Sequence, residues 1–246
     1  MIAITRDISA RVAEGELTHL EREPIDVERA RAQHRQYRET LAALGWEVVE
    51  LPADDAYPDC VFVEDTAIVL PGFAVITRPG AESRRGEIDV MARALAPYRR
   101  LTRLEAPATL DGGDVLVLDD ELFVGLSSRT NEAAVGQLRA LGLRVTPVPV
   151  HGALHLKTAV TRVGSDVLLI NRAWVDAAPF ERFTLIDAEE EWGANALLAG
   201  NAVIYPAAFP RTRAKLEAHG LDVRLVDASE LAKAEGGVTC CSVLVT

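Results

Sequence analysis

The chain has 246 residues and a formal net charge of −11, from 26 Lys and Arg and 37 Asp and Glu. Because nucleic acid is polyanionic, this charge argues against a nucleic-acid-binding protein and favours a soluble protein that attracts small cations. No apolar run approaches the ~20 residues of a membrane span, and the chain start lacks a signal-peptide pattern. Its three cysteines are too few for a disulfide framework, so we expect a reducing, cytoplasmic compartment.

The predicted elements repeat along the chain. A strand at Ile2–Thr5 is followed by a helix at Val27–Leu44, which ends before a glycine, and by a strand at Trp46–Leu51. Later units each comprise a strand, a turn, a second strand, a helix and a third strand. Their first strands begin at Asp65, Asp114, Lys157 and Asn195. These starts are roughly 40 to 50 residues apart, which is a period typical of repeat architectures.

The two ends of the chain complement each other. The end of the chain has one more opening strand, at Val243–Val245, with no second strand, helix or third strand after it. Ile2–Leu51 supplies those missing parts. We therefore predict an α/β fold, a five-bladed α/β propeller of ββαβ units with pseudo-fivefold symmetry, closed into a ring by its N- and C-terminal strands. An open α/β sheet built from the same elements is the alternative.

Polar and reactive residues cluster where the first strands begin. These positions become neighbours if the five units surround a common axis. They are Glu64-Asp65, Asp111-Gly112-Gly113-Asp114, His155-Leu156-Lys157, Asn195 and Cys240-Cys241. Since an isolated buried charge costs several kcal/mol, the acids need a counter-charge, either a bound cation or one of the chain's own arginines. A guanidinium suits them, because its planar donors bind a carboxylate in bidentate fashion.

The cysteine pair is the candidate nucleophile. The preceding Gly236–Gly237 allows a sharp turn there. Neighbouring side chains of a strand face opposite sides, so only one of Cys240 and Cys241 can enter a central pit, and spacing does not choose between them. A thiol becomes a nucleophile where a histidine and a carboxylate meet it. His155 is the candidate base, on a predicted strand that places it on one face with Lys157, and a core histidine is the alternative.

Two arginines occupy equivalent places in adjacent units. Arg84 and Arg129 each follow a second strand, at a predicted helix start. Held together, they would clamp a ligand carboxylate, whereas the alternative is two solvated surface charges.

Six segments together resemble the dimethylarginine dimethylaminohydrolases, members of the guanidine-modifying superfamily with the pentein fold. They are Pro58–Asp65, Ile76–Ala81 with Ser83–Arg85, Ala108–Leu116, Phe123–Ser127 with Arg129–Asn131, Leu154–Lys157 and Thr239–Leu244. They keep the family's order from about Arg6 to Leu244, so the resemblance implies a single catalytic domain over residues 1–246. The family's fold is a five-bladed α/β propeller with the site in its central channel, in agreement with the predicted ring.

The resemblance also implies roles for individual residues. Cys240 looks like the nucleophile, His155 like the general acid/base, and Asp111 like the acidic partner of that histidine. The substrate-binding residues that it implies are Glu64 and Asp65 around the guanidinium, Arg84 and Arg129 at the α-carboxylate, and Asp59 with the backbone carbonyls of Leu17 and Ala234 at the α-amino group. Leu17 would lie on a loop that closes over the substrate.

The implied activity is hydrolysis of N-omega-methylated arginines (asymmetric dimethylarginine and monomethylarginine) to citrulline and dimethylamine or methylamine. It implies an S-alkylthiouronium intermediate on Cys240, no cofactor, no required metal, no nucleic-acid or membrane partner, and a monomer or homodimer. The residues leave open another guanidine hydrolase of this fold, such as an arginine deiminase, and a non-catalytic binder of cationic amino acids. An agmatine hydrolase is disfavoured, because agmatine lacks the carboxylate that Arg84 and Arg129 would clamp.

Overall fold

The computed structural model describes residues 1–246, and its fifteen strands form five three-stranded sheets. In each sheet the central strand pairs antiparallel with one neighbour and parallel with the other. The strands are β1 (Ile2–Arg6), β2 (Glu47–Leu51), β3 (Ala67–Leu70), β4 (Phe73–Ile76), β5 (Arg100–Arg103), β6 (Val115–Leu118), β7 (Glu121–Leu126), β8 (Arg144–Pro149), β9 (Val160–Arg162), β10 (Val167–Ile170), β11 (Thr184–Asp187), β12 (Leu197–Ala199), β13 (Ala202–Pro206), β14 (Asp222–Val226) and β15 (Val243–Val245). The five predicted ββαβ units are confirmed.

The last strand closes the ring, as predicted. Val245 of β15 pairs antiparallel with Ile2 of β1, and β1 pairs parallel with β2. A single open sheet is excluded, because no sheet contains more than three strands. The first unit is therefore assembled from both ends of the chain.

Helices connect the strands, and the four longest pack their apolar faces against the sheets. The helices are α1 (Val27–Ala43), α2 (Ile88–Leu95), α3 (Glu132–Ala140), α4 (Leu156–Ala159), α5 (Pro210–Ala218) and α6 (Ser229–Ala232). Asp26 caps α1 by accepting the N–H of Arg29, and Asn131 caps α3 by accepting the N–H of Ala134, which satisfies donors that the first helical turn leaves free. None of the helices combines the length and apolar composition needed to cross a lipid bilayer.

Short helical turns carry the polar residues that precede the first strands. The predicted strand starts at Asp65, Asp114, Lys157 and Asn195 come one to three residues before the observed ones. Instead, 3-10 turns at Val63–Thr66 and Gly112–Asp114 precede β3 and β6, and α4 precedes β9. A turn leaves backbone N–H groups free to bind buried carboxylates, whereas a strand would use them in the sheet.

These turns contact one another around the axis of the ring. The bonds run from the N–H of Glu64 to the carbonyl of Cys240 (3.1 Å), the N–H of Gly113 to Asp65 (2.9 Å), the N–H of Leu156 to Asp114 (2.9 Å), the amide of Asn195 to the carbonyl of Lys157 (2.9 Å), and the N–H of Thr239 to Asn195 (3.2 Å). Glycine is required at Gly112, where a Cβ would lie 2.0 Å from the Glu64 carbonyl oxygen. The five predicted positions are therefore neighbours.

Candidate active site

A cavity of about 340 Å³, including the space at its mouth, lies over these turns. It is lined by Glu16, Asp59, Phe62, Asp65, Arg84, Arg129, Leu154, His155, Ala234, Glu235, Gly236 and Cys240. Seven of the ten predicted site residues are in this lining, and the other three, Asp111, Glu64 and Leu17, are not.

Of the two adjacent cysteines, Cys240 faces the cavity. Its Sγ is 3.3 Å from the N–H of Gly237, whereas Cys241 is buried in the hydrophobic core next to α1. Both cysteines precede β15, so neither lies on the closing strand. Burial, together with the carboxylates of Glu64 and Asp65, raises the pKa of the Cys240 thiol to about 12. The thiol is therefore protonated at neutral pH in the absence of a ligand.

His155 pairs with Asp111 in the wall of the cavity. Its Nε2 is 3.0 Å from Oδ2 of Asp111. Asp111 is fully buried, and its Oδ1 accepts the N–H of Gly80. Burial alone would lower the pKa of His155, but Asp65, Asp111 and Asp114 outweigh it and raise the pKa to about 9. The imidazole is therefore a cation at neutral pH, with a proton to donate.

His155 does not lie on a strand, contrary to the prediction. It is the N-cap residue of α4, and Lys157 points elsewhere, to Oε1 of Glu64 at 2.6 Å. Glu64 and Lys157 line a second cavity, which the first strands enclose. Burial raises the pKa of Glu64, although Lys157 opposes the shift. Held as an ion pair with Lys157, Glu64 contributes negative charge close to Cys240 from outside the first cavity.

Asp65 and Arg84 form a buried ion pair on the cavity wall. The Nη1 of Arg84 is 2.6 Å from Oδ2 of Asp65, and its Nε and Nη2 donate to Glu87. Nη2 also donates to the carbonyl of Phe62 at 3.0 Å, so four of the five guanidinium donors are used. Burial would raise the pKa of Asp65, but His155 and Arg84 lower it to about 2. One of the chain's own arginines thus supplies the counter-charge for Asp65.

Arg129 lines the same cavity but makes no ion pair. Its Nη2 donates to the hydroxyl of Thr18 at 3.2 Å, and its side chain has no carboxylate partner. The residue is 8% exposed. The two arginines that appear equivalent in the sequence therefore differ, because only Arg129 offers an uncompensated positive charge.

Asp59 binds the loop that covers the cavity. Its Oδ2 accepts the N–H of Glu16 at 2.9 Å, and burial raises its pKa although Arg84 opposes the shift. A Cβ on Gly15 would lie 2.1 Å from Oδ1 of Asp59, so glycine allows this close approach. Leu17 is half-buried on the loop without lining the cavity, whereas Ala234 is in the lining.

Glu235 is a residue that the sequence reasoning missed. Its Oε1 accepts the N–H groups of three successive loop residues, Thr18 at 3.0 Å, His19 at 2.5 Å and Leu20 at 2.7 Å. Such consecutive N–H groups form an anion-binding nest. The available signal was an acid directly between Ala234 and the glycine pair, but its partners are over 200 residues away along the chain.

Asp65, Asp111 and His155 also have ligand atoms within 4.8 Å of one another, a spacing that could hold a metal ion. Asp65 is paired with Arg84, and Asp111 with His155, so a cation there would have to compete with both pairs.

Known proteins share both the sequence and the fold. The family model described as "N,N dimethylarginine dimethylhydrolase, eukaryotic" matches residues 17–191. An N(G),N(G)-dimethylarginine dimethylaminohydrolase of Streptomyces coelicolor is 45% identical, covering 98% of this chain and 95% of the relative. The enzyme of that name from Pseudomonas aeruginosa is 37% identical over 88% of this chain and 89% of its own length.

A solved structure of a cysteine-to-serine variant of the Pseudomonas aeruginosa enzyme, in complex with citrulline, superposes with a TM-score of 0.92 at 34% identity. The match covers 98% of this chain and 97% of that one. The predicted pentein propeller and the predicted resemblance are both confirmed. With its cysteine, histidine and carboxylates gathered at the ring's axis, the chain belongs to the dimethylarginine dimethylaminohydrolase family.

Proposed function

We propose that this protein hydrolyses N-omega-methylated arginines to citrulline and dimethylamine or methylamine. The observation that carries the proposal is one cavity that combines a thiol, a protonated histidine and separate charges for both ends of an amino acid. The relatives' names point to the same reaction, and one of them binds citrulline, its product.

The substrate's amino-acid end is held by Arg129 and Asp59. The unpaired guanidinium of Arg129 binds the α-carboxylate, and Arg84 has one free N–H to assist it. Asp59 receives the α-ammonium group, together with the carbonyls of Ala234 and Leu17. The loop over the cavity then excludes water from the reacting atoms. In this binding mode the substrate's guanidinium points towards Cys240.

Substrate binding activates the thiol. Burial and the carboxylates of Glu64 and Asp65 keep the pKa of Cys240 high. The cationic guanidinium compensates the negative charge, so the thiol releases its proton to solvent as the substrate binds, and the thiolate is stabilised. The thiolate sulfur adds to the guanidinium carbon, which is otherwise a poor electrophile because resonance delocalises its charge. The protein therefore forms its nucleophile when the substrate is present.

His155 supplies the protons for both halves of the reaction. Its imidazolium protonates the leaving nitrogen, so the C–N bond breaks and the amine departs from an S-alkylthiouronium on Cys240. The neutral imidazole then takes a proton from water, whose oxygen adds to the same carbon and displaces the thiolate. Asp111 orients the ring and stabilises its charged form. Citrulline is released.

The competing functions make different predictions. Agmatine has no carboxylate for Arg129, and a non-catalytic binder would have no use for Cys240 in the cavity. Release of ammonia rather than a methylated amine would identify arginine as the substrate. Rapid, substrate-protected labelling of Cys240 by a haloacetamidine is expected for the enzyme, whereas an inert thiol would favour the binder.

The direct test replaces each cysteine in turn. Cys240→Ser is expected to abolish turnover of asymmetric dimethylarginine while citrulline still binds, as measured by calorimetry. Cys241→Ser, the matched control, changes a thiol outside the cavity and is expected to retain turnover. Mass spectrometry of the wild-type protein should show a transient adduct on Cys240. Undiminished turnover by Cys240→Ser would refute the assignment.

A further inference from the structure

We propose that Asp114 is a positioning residue that fixes the His155–Asp111 pair relative to Arg129, the clamp for the substrate's α-carboxylate. The inference rests on the proposed function. Asp114 is fully buried and does not line the cavity, so it acts through its neighbours and does not touch the substrate. Three donors converge on its carboxylate, and each leads to a different part of the site.

The first branch reaches the acid/base pair. The N–H of Leu156, the residue directly after His155, donates to Oδ1 of Asp114 at 2.9 Å. The hydroxyl of Thr130 donates to Oδ2 at 2.6 Å, and the same hydroxyl oxygen accepts the N–H of Asp111 at 3.2 Å. The Asp114 carboxylate therefore holds His155 through the N–H of the next residue, and it holds Asp111 through the hydroxyl of Thr130.

The second branch reaches the clamp. The hydroxyl of Ser127 donates to Oδ2 of Asp114 at 2.6 Å, and its oxygen accepts the N–H of Arg129 at 3.0 Å. Ser127 and Thr130 flank Arg129 in the turn between β7 and α3. The carboxylate thereby fixes the turn from which the Arg129 side chain reaches over the cavity.

The carboxylate of Asp114 is closely packed, and its partners are matched to an acceptor. A Cβ on Gly125 would lie 2.5 Å from Oδ1 of Asp114, so the carboxylate is packed against backbone. All three of its partners are donors in this arrangement, and an amide at position 114 would present N–H groups to the two hydroxyls. The O–H groups of Ser127 and Thr130 would then lose their shared acceptor and would have to turn towards another one.

The branches make separable predictions. Ser127→Ala cuts only the link to Arg129, and it is expected to raise KM and the citrulline Kd by about 3- to 10-fold with a smaller change in kcat. Thr130→Val cuts only the link to Asp111, and it is expected to lower kcat by about 3- to 10-fold with a smaller change in KM. Asp114→Asn is expected to change both.

Two further measurements separate positioning from folding and from activity. Thr146→Val is the matched control, because it removes a hydroxyl donor to another carboxylate, Glu121, away from the cavity, and should leave KM, kcat and the His155 pKa unchanged. In the Cys240→Ser background, the His155 pKa measured by NMR should fall with Asp114→Asn and Thr130→Val but not with Ser127→Ala.

An Asp114→Asn protein that only melts earlier, with KM, kcat and the His155 pKa as in the wild type, would overturn the proposal. Equal effects of Ser127→Ala and Thr130→Val on both kinetic constants would do the same. If dimethylarginine is not a substrate, the proposed function fails. The His155 pKa in Thr130→Val then still decides the inference, because that substitution removes no charge and the measurement needs no turnover.

Discussion

Replacing Arg129 by methionine is expected to weaken citrulline binding strongly without destabilising the fold, whereas Arg84→Met should destabilise the fold and weaken citrulline binding less. Arg129 makes no ion pair, so its removal leaves no carboxylate unpaired. Arg84 is buried between Asp65 and Glu87, whose side chains are 3% and 2% exposed. Its loss would leave two buried carboxylates without their cation.

The magnitudes follow from these contacts. A hydrogen bond to a charged group contributes about 1.5–3 kcal/mol, so Arg129→Met should raise the citrulline Kd by about 10- to 150-fold. Removing one partner of a buried ion pair costs about 3–5 kcal/mol. At about 2–4 °C per kcal/mol for a chain of this size, Arg84→Met should lower Tm by about 6–20 °C.

Calorimetric titration with citrulline and thermal unfolding followed by circular dichroism measure the two effects on the same samples. Both variants are made in the Cys240→Ser background, so that turnover does not interfere. Equal losses of binding and of Tm in the two variants, or wild-type affinity in Arg129→Met, would refute the distinction between a ligand clamp and a structural ion pair.

Three further predictions concern charge and the covering loop. The folded-state pKa of His155, about 9, lies above its unfolded value near 6.5. The stabilising contribution of His155 is therefore complete below pH 6.5 and is lost as pH rises through 9. Urea unfolding should show this decline in the free energy of unfolding, and the decline should be weaker in His155→Gln. Glu235→Gln weakens the acceptor of three loop N–H groups, so trypsin should cleave this variant faster after Arg22, and citrulline should slow the cleavage. An unchanged cleavage rate would mean that the carboxylate does not hold the loop. Lys157→Met leaves Glu64 buried without its cation, so the protein should lose about 3 kcal/mol of unfolding free energy at pH 8. The loss should be smaller at pH 5, where Glu64 can bind a proton. Equal losses at both pH values would contradict this prediction.

Local patterns in the sequence were sufficient for the repeat and for most of the site. The alternation of strands, turns and helices, with an incomplete unit at each terminus, predicted five units and their closure by β1 and β15. The same counting brought Cys240, His155 and the paired acids to one axis, and the resemblance added roles for them. Strand starts were misplaced because a run such as Lys157–Arg162 has β-forming residues, while the requirement of Asp114 for the Leu156 N–H favours a helical turn there.

The order of residues by itself determined which side chains the ring would bring to its axis, because each unit repeats the same elements and the first strands must face one another. Only the tertiary structure decided how those side chains share their charges. Arg84 and Arg129 have equivalent places in the sequence, yet burial pairs one with Asp65 and leaves the other free for a ligand. Cys240 and Cys241 are likewise adjacent, and packing against α1 buries one while the other faces the cavity. Such assignments depend on distances between residues far apart in the chain, which local pattern does not contain.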